Sequence, residues 1–102
     1  MRGSNIPYCE LGKLLDALAR SRDVRGPYHI AQHLQYAVGY EVSGQAVSKY
    51  LYGKYEPKRA FIVAFADAFK LTEQERTELA WVYIYGSQTY SQYFHPAAAV
   101  FR

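Results

Sequence analysis

The sequence predicts an all-α domain of about five short helices with an aromatic tail at its C-terminal end. Apolar residues recur at spacings of three and four through successive segments, the period of a helix that buries one face. Between those segments stand Ser, Thr, Pro and Gly at positions where helices begin and end. With 102 residues, half of them hydrophobic, the chain can bury one core and is too short for two ordinary domains.

The first helix is expected from about Tyr8 to Ser21, where Leu11, Leu14, Leu15 and Leu18 make an i, i+3, i+4, i+7 stripe. RDVRGP breaks it, and Pro27 is placed to open a second helix with Ile30, Ala31 and Leu34 on its buried side up to about Ala37. Gly39 allows a turn, and the alternation in YAVGYEV, residues 36–42, would equally support a short extended excursion. A third helix follows Ser43, its N-cap, and ends at Gly53, with Val47, Tyr50 and Leu51 together on the side suited to burial. KYEPK is the loop after it. Residues 59–69, RAFIVAFADAF, make a fourth helix with Ile62, Phe65, Ala66 and Phe69 inward.

Thr72 and Glu75 read as a capping box, with Leu71 as its hydrophobic staple, so the fifth helix is expected from Glu73 to about Tyr85. Its second half, LAWVYIY, is apolar almost all round and needs cover on more than one side. The boundary is placed at Gly86, giving a domain of residues 1–86 and a tail of residues 87–102. Tyr90, Tyr93, Phe94, Val100 and Phe101 make that tail too aromatic to be simply solvated. An apolar surface of this extent is avoided on soluble monomers, so a homodimer through the end of the fifth helix and the tail is expected, the alternative being a tail that folds back over the first and fifth helices and completes a monomer's core.

Several function classes are disfavoured. No run approaches the ~20 apolar residues needed to span a bilayer, and the N-terminus lacks the apolar stretch of a secretory signal, so a cytoplasmic protein without membrane contact is expected. Cys9 is the single cysteine, which rules out an internal disulfide or a multi-cysteine zinc site. His29 and His33 stand at i, i+4, a spacing that can meet one metal, but there is no HExxH pattern and no obvious third ligand; surface or phosphate-side histidines are the preferred reading. Asp67 and Glu56 stand among unlike neighbours, Cys9 has no nearby sequence partner and no Gly-rich phosphate loop is present, so neither enzymatic activity nor a cofactor is expected. The net charge is +3, and the basic excess is uneven: residues 1–59 hold nine Lys or Arg against five Asp or Glu, and residues 60–102 hold three against four. That asymmetry favours a polyanionic partner on the N-terminal side.

The basic half contains SGQAVSKYLYGKYEPK, residues 43–58. On the third helix Gln45, Ser48, Lys49 and Tyr52 fall on one side at i, i+3, i+4 and i+7, opposite the burial set. An amide, a hydroxyl, a cation and a phenol form a hydrogen-bonding set with no carboxylate to repel phosphate. Directly after it, Lys54, Lys58 and Arg59 surround Tyr55, where they can hold phosphates while the helix meets base edges. Arg22 and Arg25 are the next cations in line for a backbone contact.

Val47, Ser48 and Lys49, Tyr50, Gly53, Lys54 and Pro57 stand in the order of an aliphatic, a polar pair, an aromatic, a glycine and a basic loop with proline. In this order, and in the helices around it, the chain over residues 8 to 85 resembles the Xre/Cro type of helix-turn-helix transcriptional regulator. The GPYHIA entry to the second helix is similar to a subset of actinobacterial regulators related to EspR. The chain departs from the family in having Leu51 where an acidic residue often stands, and in a longer segment from Ala31 to Val47. The resemblance implies a five-helix helix-turn-helix domain that binds double-stranded DNA, with Gln45, Ser48 and Lys49 reading bases and Lys54 and Tyr55 on the backbone. Gln45 would pair with adenine and Lys49 with guanine, with Ser43 as the cap that sets the helix N-terminus. From another class, the alternative is a non-enzymatic protein-interaction module of the antitoxin or anti-repressor type that uses its aromatic C-terminal region.

Overall fold

Every regular element among the described residues is a helix: α1 (Glu10–Arg20), α2 (Pro27–Val38), α3 (Gly44–Leu51), α4 (Arg59–Ala68) and α5 (Glu73–Phe94). The computed structural model describes the backbone of residues 8–94 and the side chains of residues 8–85. The first four helices begin and end within two residues of the bounds expected from periodicity and stop signals. Residues 36–42 divide: Tyr36, Ala37 and Val38 complete α2, Gly39 takes φ 70°, and residues 40–43 cross to α3 without regular structure. No helix among the described residues is long and apolar enough to cross a membrane.

The fifth helix departs from expectation. Instead of stopping near Tyr85, α5 continues through Gly86 to Phe94. Glycine inside a helix costs only about 1 kcal/mol relative to alanine and keeps its amide, and no proline follows until Pro96, so Gly86 is no stop signal. Residues 95–102, with Val100 and Phe101 of the expected tail, lie outside the described residues, as do the side chains of Tyr90, Tyr93 and Phe94.

The core is built around α4. Phe61 and Phe65 are fully buried, and Leu15, Ile30, Leu34, Val47, Leu51 and Leu79 close over them from the other helices. Burying each such side chain is worth about 1.5–3 kcal/mol relative to exposure. The rings form a continuous file: Tyr50 meets Phe61 at 4.9 Å, Phe61 meets Phe65 at 6.1 Å, Phe65 meets Phe69 at 4.6 Å, and Phe69 meets the His33 imidazole at 4.5 Å. Phe61, Ala64 and Ala68 lie outside the expected inward set because α4 is covered on nearly all sides, leaving Arg59, Ala60, Val63 and Asp67 exposed.

Three helices end in the same backbone device. After α1 the Val24 amide donates to Ala19 O, after α3 the Lys54 amide donates to Lys49 O, and after α4 the Leu71 amide donates to Ala66 O. Each closure passes through a left-handed residue: Asp23 at φ 65°, Gly53 at φ 77° and Lys70 at φ 52°. This is the Schellman arrangement, which satisfies carbonyls that a helix end leaves free. At the start of α5 the capping box forms as expected: the Thr72 amide donates to Glu75 Oε1 at 2.8 Å, and the Glu75 amide donates to Thr72 Oγ1 at 3.1 Å. Arg22 locks these ends together, donating to Phe69 O at 2.6 Å and to Glu75 Oε1 at 2.6 Å. Its hydrogen bond holds the Glu75 carboxyl below the usual carboxylate range, helped by the Thr72 amide.

Two seams fix α3. At its C-terminal end the Cys9 amide donates to Leu51 O at 2.9 Å, and the Cys9 thiol donates to Tyr50 O at 3.6 Å while accepting from the Gly12 amide at 3.3 Å. Gly12 lets α1 meet α3 backbone to backbone: a Cβ there would stand 2.0 Å from Leu51 O. At the N-terminal end the Tyr28 ring lies over Gly44, where a Cβ would stand 2.4 Å from the ring.

Candidate nucleic-acid interface

Held at both ends, α3 presents one face outward. Ser43 caps it, its hydroxyl accepting from the Ala46 amide at 3.0 Å. Gln45 and Lys49 stand exposed one turn apart, and Ser48 beside them is half-buried. Tyr52 belongs to the same stripe but is turned toward the N-terminal end of α1, half-buried with its ring 4.8 Å from Tyr8 in an edge-to-face contact. Behind them Val47 and Leu51 are fully buried and Tyr50 is half-buried over Phe61. Burial pushes the Tyr50 phenol up, with a smaller contribution from Tyr40.

The loop after α3 folds back onto it. Gly53 in the left-handed region turns the chain, and the amides of Lys54 and Tyr55 both donate to Lys49 O, at 2.9 and 3.4 Å. The Tyr55 ring arrives beneath the Lys49 ammonium, whose Nζ lies 4.9 Å from the ring centroid. Pro57 is buried and its carbonyl accepts from Tyr83 Oη at 2.9 Å, which pins the loop to α5. Lys54, Lys58 and Arg59 are exposed along this arc, and none of them forms an ion pair among the described residues. Glu56 is the carboxylate within the arc, and it too is exposed.

Other sequence candidates separate from this surface. Arg22 is committed to Glu75 and to the carbonyls of Phe69 and Leu18, so it is a structural cation rather than a free one. Arg25 is exposed, and its carbonyl accepts from His29 Nδ1 at 2.8 Å. His33 is not a surface histidine: half-buried against Phe69, it donates through Nε2 to Ala68 O at 3.0 Å, which fixes that nitrogen as the protonated one. No group of three His, Cys, Asp or Glu able to hold a metal is present among the described residues.

Comparison of the chain with family models, curated proteins and solved structures gives no match.

The sequence reading did not single out Tyr28 and Tyr36, which stand 61% and 88% exposed on α2, the first of them against Gly44 at the start of α3. A tyrosine at the second position of a helix, facing a glycine that opens the next, is the signal that could have found the first. Chemically the surface offers an amide with both donor and acceptor, an ammonium with three donors, and unpaired cations five to ten residues further along the chain. The first two match base edges, and the cations match phosphates.

Proposed function

We propose that this chain is a sequence-specific double-stranded DNA-binding protein that regulates transcription, with α2 and α3 as a helix-turn-helix and α3 as the helix that enters the major groove. The observation that carries this is α3 itself: an eight-residue helix fixed at both ends, with Gln45 and Lys49 outward and an unpaired basic loop at its C-terminal end. Gln45 pairs with adenine N6 and N7, Lys49 donates to guanine O6 and N7, and Ser48 supplements them. Lys54, Lys58 and Arg59 hold the phosphates. The reading follows the resemblance to Xre/Cro-type regulators, which implies base reading by Gln45, Ser48 and Lys49 and a backbone contact by Lys54. Two copies associate through the apolar side of α5, placing two α3 helices ~34 Å apart on one face of an inverted-repeat site.

Gel-shift titration of random genomic fragments, followed by selection of bound sites from a random pool, tests the proposal. Salt-sensitive retention with an enriched motif is the expected result. Lys54→Ala and Lys58→Ala should each lower the salt slope by roughly 1 and weaken all sequences alike. Absence of retention at low salt would instead favour the protein-interaction module. That second reading draws on Ile84 and Tyr85, which are 65% and 52% exposed midway along α5.

A further inference from the structure

We infer that Tyr55 is a positioning residue that sets the base preference of the proposed DNA-reading face by holding the Lys49 ammonium over a base edge, an inference that rests on the function proposed above. Lysine alone is a poor reader, because its ammonium sits on four rotatable bonds and most of that freedom must be given up to address one base. Here the freedom is restricted before any ligand arrives. The Lys49 Nζ lies 4.9 Å from the centre of the Tyr55 ring, within range of attraction between a cation and the negative face of an aromatic. The ring in turn is placed by backbone, since the Lys54 and Tyr55 amides both close on the Lys49 carbonyl. Residue 49 is thus gripped at its carbonyl and at its ammonium by the same loop.

Three further observations make the ring a support rather than a contact of its own. Tyr55 is 58% exposed, yet its inner side lines a cleft of about 180 Å³ with Cys9, Leu11, Tyr50 and Pro57, so it is seated on the seam between α1 and α3. Pro57 is anchored by Tyr83, which keeps the loop from swinging away. Lys49 has no carboxylate partner among the described residues, so the ring is what directs its charge. With one side of the ammonium on the ring, its remaining N–H donors face outward toward guanine O6 and N7.

The test uses the full chain and its selected site. An exposed cation–π contact of about 0.5–1 kcal/mol corresponds to a factor of roughly two to five, so Tyr55→Ala should reduce discrimination against a site with the Lys49-read guanine replaced by that factor. Tyr55→Phe should keep the parent's discrimination, because the ring face and not the hydroxyl is used. Lys49→Ala and the Lys49→Ala, Tyr55→Ala double variant should discriminate alike, since the ring acts only through the lysine. The salt slope should be the same in the parent and in Tyr55→Ala, as no phosphate contact is removed. In free protein the Lys49 side-chain methylene signals should show an upfield ring-current shift that persists in Tyr55→Phe and vanishes in Tyr55→Ala. Penalties that add in the double variant, equal losses in Tyr55→Phe and Tyr55→Ala, or missing ring-current shifts in a parent that still selects a site would each overturn the role of Tyr55 alone. A parent that selects no DNA sequence overturns it together with the DNA-reading proposal, whatever its ring-current shifts.

Discussion

Gly12 is where propensity and tertiary structure give opposite answers. Intrinsic propensity says that alanine in a helix interior is better than glycine by about 1 kcal/mol. The Leu51 carbonyl stands where the alanine methyl would go, 2.0 Å from it, and it is backbone that cannot rotate aside. We therefore expect Gly12→Ala to destabilise the fold by ~1–3 kcal/mol, the usual cost of overpacking, measured as a lower urea midpoint at unchanged slope. A midpoint at or above the parent's would mean that α1 and α3 are not in backbone contact. On the outer face, Gln45→Ala and Lys49→Ala are expected to leave stability unchanged and to weaken the preferred site by ~1–3 kcal/mol each, with relaxed base preference. Retained affinity and preference in both variants would remove α3 from the groove. The division between Val47 and Leu51 inside and Gln45 and Lys49 outside was legible in the sequence, since it follows from the helical period alone. The withdrawal of Tyr52 toward Tyr8 was not legible, because its partner lies outside any local pattern.

Helix starts were read more surely than helix ends for a physical reason. A start such as Ser43 or Thr72 is decided by side chains within four residues, whereas an end is decided by which residue will accept a left-handed φ. Asp23 and Lys70 accept it without being glycine, and Gly86 does not take the role at all. Lys70→Gly should relieve that strain and raise stability by about 0.5–1 kcal/mol, the relief being partly offset by the greater freedom of glycine in the unfolded chain. Lys70→Ala serves as the comparison, and a gain in it equal to that of Lys70→Gly would show that φ is not the cause. The other element-level consequence concerns acid. Because Arg22 and Thr72 hold the folded Glu75 carboxyl below its ordinary 4.5, the folded state binds its proton less readily than the unfolded chain. The resulting stabilisation is fully present above that ordinary value and is lost as pH falls through the lower folded one. Thermal unfolding followed from neutrality into the acid range should show a shallower acid loss in Glu75→Gln than in the parent, and identical acid slopes would sink the linkage.

For the molecule as a whole, the proposed dimer rests on the apolar side of α5. Trp81 and Tyr85 stack at 4.3 Å, and Ile84 and Tyr85 remain exposed on one chain. Covering them with a second copy predicts a dimer by light scattering at micromolar concentration and a monomer of undiminished helicity for Ile84→Glu. A parent that scatters as a monomer at high micromolar concentration would end that expectation. All five helices were legible in the sequence, but the two seams that hold α3 were not: Cys9 and Leu51 are distant in the chain, and no periodicity links them. The seam at Gly12 and Cys9 lies at the opposite end of α3 from its cap, yet an eight-residue helix is too short to persist without such support. In a genetic screen for loss of the proposed DNA binding, alleles at Gly12 would therefore be recovered alongside alleles at Gln45 and Lys49, and a map of such alleles would outline the scaffold of the proposed reading helix as much as its footprint.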